Sequence, residues 1–288
     1  MESSIDKKNE SWDLVIKSKT KWFNLNLGSI WKYRDLLMLL VYRDFVAVYK
    51  QTILGPLWFL IQPIITTLTF TVIFGTLANI STDGIPPILF YLSGITLWTY
   101  FADCLNKTSN TFITNANIFG KVYFPRMIVP LSVLVSNLIK LGIQILIFAT
   151  VWIYYLVYSD TIHPNWSYLY LFPLLVILMA GIGLGLGILI SSLTTKYRDF
   201  TFLLGFGVQL LMYATPIVYP MSIVTGKLKY ILSFNPLTPV IETFKFIFLG
   251  NGDFNWMGLG YSASFMFIIL FVGIVVFNRV EKSFMDTV

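Results

Sequence analysis

The feature that most constrains this chain is a series of six long apolar runs, at 57–79, 88–106, 128–158, 168–191, 200–219 and 257–278. Each is long enough for an α-helix to cross a bilayer, which takes about 20 residues, and a helix satisfies its own backbone hydrogen bonds where lipid cannot. Composition agrees, since 56% of the residues are hydrophobic and 12% charged. A soluble domain carries about 25% charged residues and could not hide so much apolar surface in one core. The pattern predicts an all-α membrane protein: one domain of six transmembrane helices over 56–279.

Positive charge resists translocation, so Lys and Arg mark the cytoplasmic side. The stretch before the first run holds Lys7, Lys8, Lys17, Lys19, Lys21, Lys32, Arg34, Arg43 and Lys50. Lys107, Lys121 and Arg126 follow the second run, Lys196 and Arg198 the fourth, and Arg279 and Lys282 the sixth. The opposite connections hold only Lys227, Lys229 and Lys245. Both termini are therefore expected in the cytoplasm.

Residues 1–30 form a polar arm without the apolar core of a cleavable signal, so the first span is expected to direct insertion. Over 31–55 a helix at 100° per residue gathers Lys32, Asp35, Arg43 and Lys50 in one arc and Leu37, Val41, Phe45 and Val48 opposite it. That predicts an amphipathic helix on the membrane surface. Between the fifth and sixth runs, two apolar pieces at 230–234 and 240–249 are too short to cross and are broken by Pro236, Pro239 and Gly250-Asn251-Gly252. They are expected to be external re-entrant half-helices, with an external loop on the bundle as the alternative. Residues 280–288 form a cytoplasmic tail.

The chain holds no G-x-x-x-x-G-K-[ST] phosphate loop, no H-E-x-x-H and no C-x-x-C. With one histidine, His163, and one cysteine, Cys104, it has no disulfide, His-cluster metal site or Ser-His-Asp set. No catalytic, cofactor or metal residue is expected. The net charge of +6 is spread outside the apolar runs rather than gathered with aromatics, which argues against a nucleic-acid partner and for membrane lipid.

Ionisable residues inside apolar runs mark ion or proton pathways when they are used. Here they are Lys140 and Asp103, with Glu242 and Lys245 at i, i+3 in the external region. Lys140 is expected to snorkel towards the interface and Glu242–Lys245 to pair locally. Gly181, Gly183, Gly185 and Gly187 form two overlapping G-x-x-x-G spacings, expected to pack the fourth span inside the molecule. Trp58, Phe59, Phe70 and Phe74 in the first run, with Phe202, Phe206 and Tyr213 in the fifth, fit packing or lipid contact and also the lining of a carbohydrate path.

Five segments carry a family resemblance. The stretch YRDFVAVYKQTILGPLWFLIQP at 42–63 resembles the entry segment of type-2 ABC transporter permeases that export polysaccharides. KVYFPRMIVPL at 121–131, YRDF at 197–200, FNPLTPVIE at 234–242 and VEKSFMD at 280–286 are similar to further segments of that family in the same order. Ala47 stands where the family often has arginine.

The resemblance implies the permease half of an ATP-driven exporter of lipid-linked polysaccharide, of O-antigen, teichoic-acid or capsule type, in a bacterial cytoplasmic membrane. It implies a second copy of the chain and two copies of a separate ATPase subunit that binds ATP and Mg, with no ATPase site in this chain. It also implies contact with that subunit near Arg34, Asp35, Asn115, Asn117 and Lys121. Lys50 and Arg126 would attract the phosphates of the lipid carrier, an electrostatic expectation. A same-fold permease for a drug or simple lipid is the first alternative. An ion-coupled carrier or membrane enzyme acting on a lipid-linked sugar is the second.

Overall fold

The computed structural model describes residues 27–284 apart from 51, 120, 123, 196 and 198, with the backbone alone at 27, 29, 48, 49 and 281–284. The arm to residue 26 with Lys7, Lys8, Lys17, Lys19 and Lys21, the pair Lys196 and Arg198, and the tail from 285 lie outside the described residues.

Among the described residues every regular element is helical. A short helix α1 (Leu27–Lys32) leads into α2 (Arg34–Tyr49). The first apolar run is a composite: a 3-10 turn at Gly55–Leu57, α3 (Trp58–Phe70) and a π-helical continuation Thr71–Leu77. Then come α4 (Pro87–Ser109), the short α5 (Thr111–Thr114) and α6 (Ala116–Phe119), and α7 (Ile128–Tyr158). A 3-10 turn at Trp166–Leu171 opens α8 (Phe172–Thr194), followed by α9 (Phe200–Tyr213), α10 (Gly226–Ser233), α11 (Thr238–Leu249) and α12 (Trp256–Phe284).

Among the described residues five helical stretches are long and apolar enough to cross a membrane: Gly55–Leu77, Pro87–Ser109, Ile128–Tyr158, Trp166–Thr194 and Trp256–Val280. The chain is thus a multi-pass membrane protein. The remaining apolar run differs from expectation in length. Its helix α9 has 14 residues, about 21 Å at 1.5 Å per residue, against about 30 Å of hydrocarbon. Pro216 has no N–H to continue the ladder and disfavours helix at Thr215, whose hydroxyl instead bonds Leu211 O at 2.7 Å. Residues 215–218 continue as buried, non-helical chain.

α8 packs between α4 and α12, and its glycines explain how. Successive even-spaced residues on a helix turn by about 200°, so alternate glycines face opposite neighbours. A methyl at Gly181 would fall on Met266 Sδ, and one at Gly185 would stand 3.0 Å from Leu270 N, both on α12. At Gly183 it would meet Phe101 O at 3.2 Å, and at Gly187 Thr108 Cβ at 2.6 Å, both on α4. The two G-x-x-x-G spacings therefore serve two interfaces within one molecule, as the sequence predicts.

Two apolar cores divide the bundle. The larger joins α4, α8 and α11 through residues such as Tyr91, Phe101, Leu175, Ile241 and Phe244. The smaller gathers Leu40, Phe112, Phe119, Phe124, Ile128, Val129 and Phe277 at the opposite end. We call these the cap end, carrying α10 and α11, and the α2 end. At the cap end α11 is buried, whereas α10 has no buried residue and exposes Leu228, Tyr230 and Ile231. Hydrogen bonds anchor α11 from three sides. Trp152 Nε1 donates to Phe248 O (2.6 Å), Asn165 Nδ2 to Phe246 O (2.9 Å) and Lys245 Nζ to Pro216 O (2.5 Å).

Candidate functional site

At the α2 end four elements meet. α2 buries Leu40 and Val41 and half-buries Tyr33, Leu36 and Leu37, positions three and four apart that form one helical face against α7. Its other face is mixed: Arg34 and Asp35 share it with exposed Trp31, Met38, Leu39 and Tyr42. Arg43 turns inward instead. It bonds Asp44 Oδ1 through Nε (3.0 Å) and Nη2 (2.7 Å), and its Nη1 and Nη2 point at Asn115 Oδ1 from 3.5 and 3.4 Å.

Asn115 sits in the break between α5 and α6, where its Nδ2 donates to Thr111 O and Thr114 Oγ1, each at 3.0 Å. Phe112 of α5 stacks on Phe277 of α12 with centroids 4.7 Å apart, and Phe119 of α6 lies 5.7 Å from Phe124. Thr194 at the end of α8 donates to Ser109 O at 2.9 Å. Asn115 thus joins the α5–α6 corner to α2 and Phe112 joins it to α12, while Thr194 ties the end of α8 to the end of α4 just before the corner.

Deeper in the bundle a polar seam runs between α4 and α7. Lys107 Nζ donates to Asn137 Oδ1 (2.9 Å), Asn137 Nδ2 lies 3.7 Å from Cys104 Sγ, and Lys140 Nζ pairs with Asp103 Oδ2 at 2.6 Å. Gln144, one turn further along α7, is buried with neither amide atom bonded by the protein. Lys140, expected from the sequence to snorkel, is paired with Asp103 of α4, a partner that the sequence reading did not assign to it.

The profile of the family described as ABC-2 type transporter matches residues 35–249, 215 of the 288 residues. The chain belongs to the ABC-2 type transporter family. This ABC-2 permease is 29% identical over 262 residues to an "O-antigen export system permease protein RfbA" of Klebsiella pneumoniae, covering 91% of this chain and 96% of that one. It is 23% identical to the protein of that name from Myxococcus xanthus, covering 90% and 97%. With the "Polysialic acid transport protein KpsM" of Escherichia coli it shares 24% identity over 81% and 89%.

The positions singled out in the ABC-2 sequence fall in distinct places. Arg34, Asp35, Asn117 and Lys121 are exposed at the α2 end, and Asn115 is buried beneath Arg43. Lys50 is exposed at the end of α2, whereas Arg126 is 7% exposed and lies over the Phe119 ring at 5.4 Å. Trp58 is exposed, while Phe59 is buried against Phe45 of α2. Phe70 and Phe74 cluster with Tyr91 of α4, and Phe202, Phe206 and Tyr213 are exposed on α9. The aromatic positions are thus divided among several surfaces rather than brought to one.

Sequence reading missed the seam residues Asn137 and Gln144. With Lys140 they stand at i, i+3 and i+7, one polar helical face inside an apolar run, and that spacing was the available signal.

Proposed function

We propose that this chain is the transmembrane subunit of an ATP-driven exporter that moves lipid-linked polysaccharide across a bacterial cytoplasmic membrane. The observation that carries this reading is full-length similarity to export permeases: the RfbA and KpsM relatives align over 81–91% of the chain. Named relatives act on O-antigen and polysialic acid, so a sugar polymer is the class of cargo they share. Two copies of the chain would enclose the path, and two copies of a separate ATPase subunit would bind ATP and Mg.

In this reading the α2 end faces the cytoplasm, the cap end lies outside, and both termini are cytoplasmic. α9 with the buried chain to 218 forms the fifth of six crossings, and α10 and α11 are external half-helices. The ATPase subunit docks on exposed Arg34, Asp35, Asn117 and Lys121. Its closure on ATP presses the α5–α6 corner, and the Arg43–Asn115 contact and the Phe112–Phe277 stack carry that push into α2 and α12. Lys50 is an exposed cation for the phosphates of the lipid carrier. The exposed rings of α9, Phe202, Phe206 and Tyr213, are the aromatic surface open to a passing sugar chain. Arg126, held over Phe119, supports the corner rather than offering a free charge.

The test is co-expression with an ATPase subunit encoded beside it. The reading requires that the two copurify and that reconstituted vesicles move a lipid-linked polymer in an ATP-dependent way. A permease that binds no ATPase subunit, or whose complex moves drugs but no polymer, overturns it.

A further inference from the structure

α4 is buried on every side but one. From Leu89 to Ser109 the positions that are not buried are Thr99, Ala102, Asp103, Asn106 and Lys107, at i, i+3, i+4, i+7 and i+8, a single helical stripe towards the α2 end. Where a helix meets lipid its exposed side chains are apolar, as Phe267, Ile268, Phe271 and Val272 are on α12. The α4 stripe holds no large apolar residue.

Two helices packed on α4, α3 and α9, repeat the pattern. On α3 Gln62, Thr66 and Thr69 share one face at i, i+4 and i+7, exposed or half-buried and roughly opposite exposed Ile64 and Leu68. On α9 exposed Gln209 shares the face of Phe202, Phe206 and Tyr213. The side-chain amides of Gln62, Asn106 and Gln209 make no hydrogen bond among the described residues, and all three are open to the surface. Each lies within about 15 Å of the end of its helix at the α2 end, at 1.5 Å of rise per residue. An amide turned towards hydrocarbon loses its hydrogen bonds to water and gains none. A second copy could pair one such amide, whereas three on three packed helices at similar depth, beside an exposed ammonium, call for water.

We infer that these faces of α3, α4 and α9 wall one water-filled passage, with Gln62, Asn106 and Gln209 touching the cargo and Lys107 setting its charge preference. An amide both donates and accepts, which suits a hydroxyl-rich chain. Asp103 is neutralised by Lys140 at 2.6 Å, so Lys107, exposed and donating to Asn137 Oδ1, is the uncompensated charge of the stripe. The passage therefore accepts a neutral or acidic chain and opposes a cationic one. The inference rests on the exporter reading for the chain that passes, and it adds hydrogen-bonding groups to the aromatic surface of α9.

Thiol accessibility in the purified permease in lipid nanodiscs tests it. Cys104 is buried, so Gln62→Cys, Asn106→Cys and Gln209→Cys each add one reactive thiol, with Leu68→Cys and Ile268→Cys as lipid-facing references. Membrane-impermeant charged thiosulfonates should label the first three at least tenfold faster than the references. At Asn106→Cys, beside Lys107, the anionic reagent should gain at least threefold over the cationic one, each rate being normalised to that of a free thiol. Lys107→Gln should remove that gain and Lys107→Arg keep it. Gln62→Cys and Gln209→Cys labelled at the reference rates overturn the passage, whether lipid or a second copy covers them, and fast labelling at Asn106→Cys alone is ordinary wetting of the interface and overturns it too. An anionic preference that is missing, or that survives Lys107→Gln, overturns the charge assignment. Polymer export is scored separately. Reactive faces without export leave the passage and remove the exporter reading, and export with Gln62→Cys and Gln209→Cys unreactive does the reverse.

Discussion

Lys140 Nζ of α7 stands 2.6 Å from Asp103 Oδ2 of α4, with the two side chains 12% and 26% exposed. Each charge is affordable inside an apolar bundle only because the other is there, and removing one leaves the other uncompensated. Asp103→Asn should lower stability by about 3 kcal/mol, at the low end for buried pairs because neither group is fully enclosed. The double variant Asp103→Leu with Lys140→Met should return to within about 1 kcal/mol of the wild type and keep export activity. Thermal unfolding in nanodiscs and vesicle export measure the two outcomes. Loss of export in a well-folded double variant would favour an ion-coupled carrier.

Gln144 carries the opposite sign. A buried amide with no partner costs about 1–3 kcal/mol of desolvation, and Met fills a similar volume without that cost. Gln144→Met should raise the melting temperature, and a drop would show that the amide has a partner supplied by lipid, water or a second copy.

The four glycines of α8 are not equivalent. Gly185→Ala places a methyl against the α12 backbone at Leu270 N, which cannot move aside, whereas at Gly181 the obstacle is the flexible end of Met266. Overpacking should cost about 1–3 kcal/mol at Gly185 and distinctly less at Gly181. Gly142 of α7 meets nothing within 4 Å, so Gly142→Ala should stabilise by about 0.5–1 kcal/mol. Unfolding of the three single variants checks the order.

Arg43→Ala and Asn115→Ala each remove the link between α2 and the α5–α6 corner. The contact is long, so stability should change by about 1 kcal/mol or less. On the proposed exporter reading, ATP-dependent export should fall at least threefold while the ATPase subunit still copurifies, because α2 would no longer share the push. Unchanged export in both variants would exclude this contact from the transmission path.

Trp152→Phe replaces the indole that packs edge-on against Phe248, 5.9 Å between centroids, with a smaller aromatic ring and deletes the Nε1 donor to Phe248 O. The orphaned carbonyl should cost about 1 kcal/mol or more, read as a lower melting temperature.

Much of the architecture was legible because a bilayer imposes a strong, one-dimensional rule. Runs long enough to cross, and glycines spaced for close helix contact, announce themselves along the chain, and the five long helices and the α8 interfaces follow them. The entry segment and the four later motifs pointed to the family that the match over 35–249 supports. Length was legible less well at α9, where one proline at 216 stops a helix inside an apolar run.

The tertiary contacts were harder to read because they join positions far apart in sequence. Arg43 and Asn115 lie 72 residues apart, Lys140 and Asp103 37, Asn251 and Asp83 168. Each residue by itself looked like an exposed charge, a snorkelling lysine or a loop amide. By itself the sequence determined that the chain must be a helical membrane protein without a phosphate loop, since hydropathy and motif need no neighbours. Only the tertiary structure decided which charges cancel and which glycine faces which helix. Those facts depend on helix rotation and depth, and packing sets both.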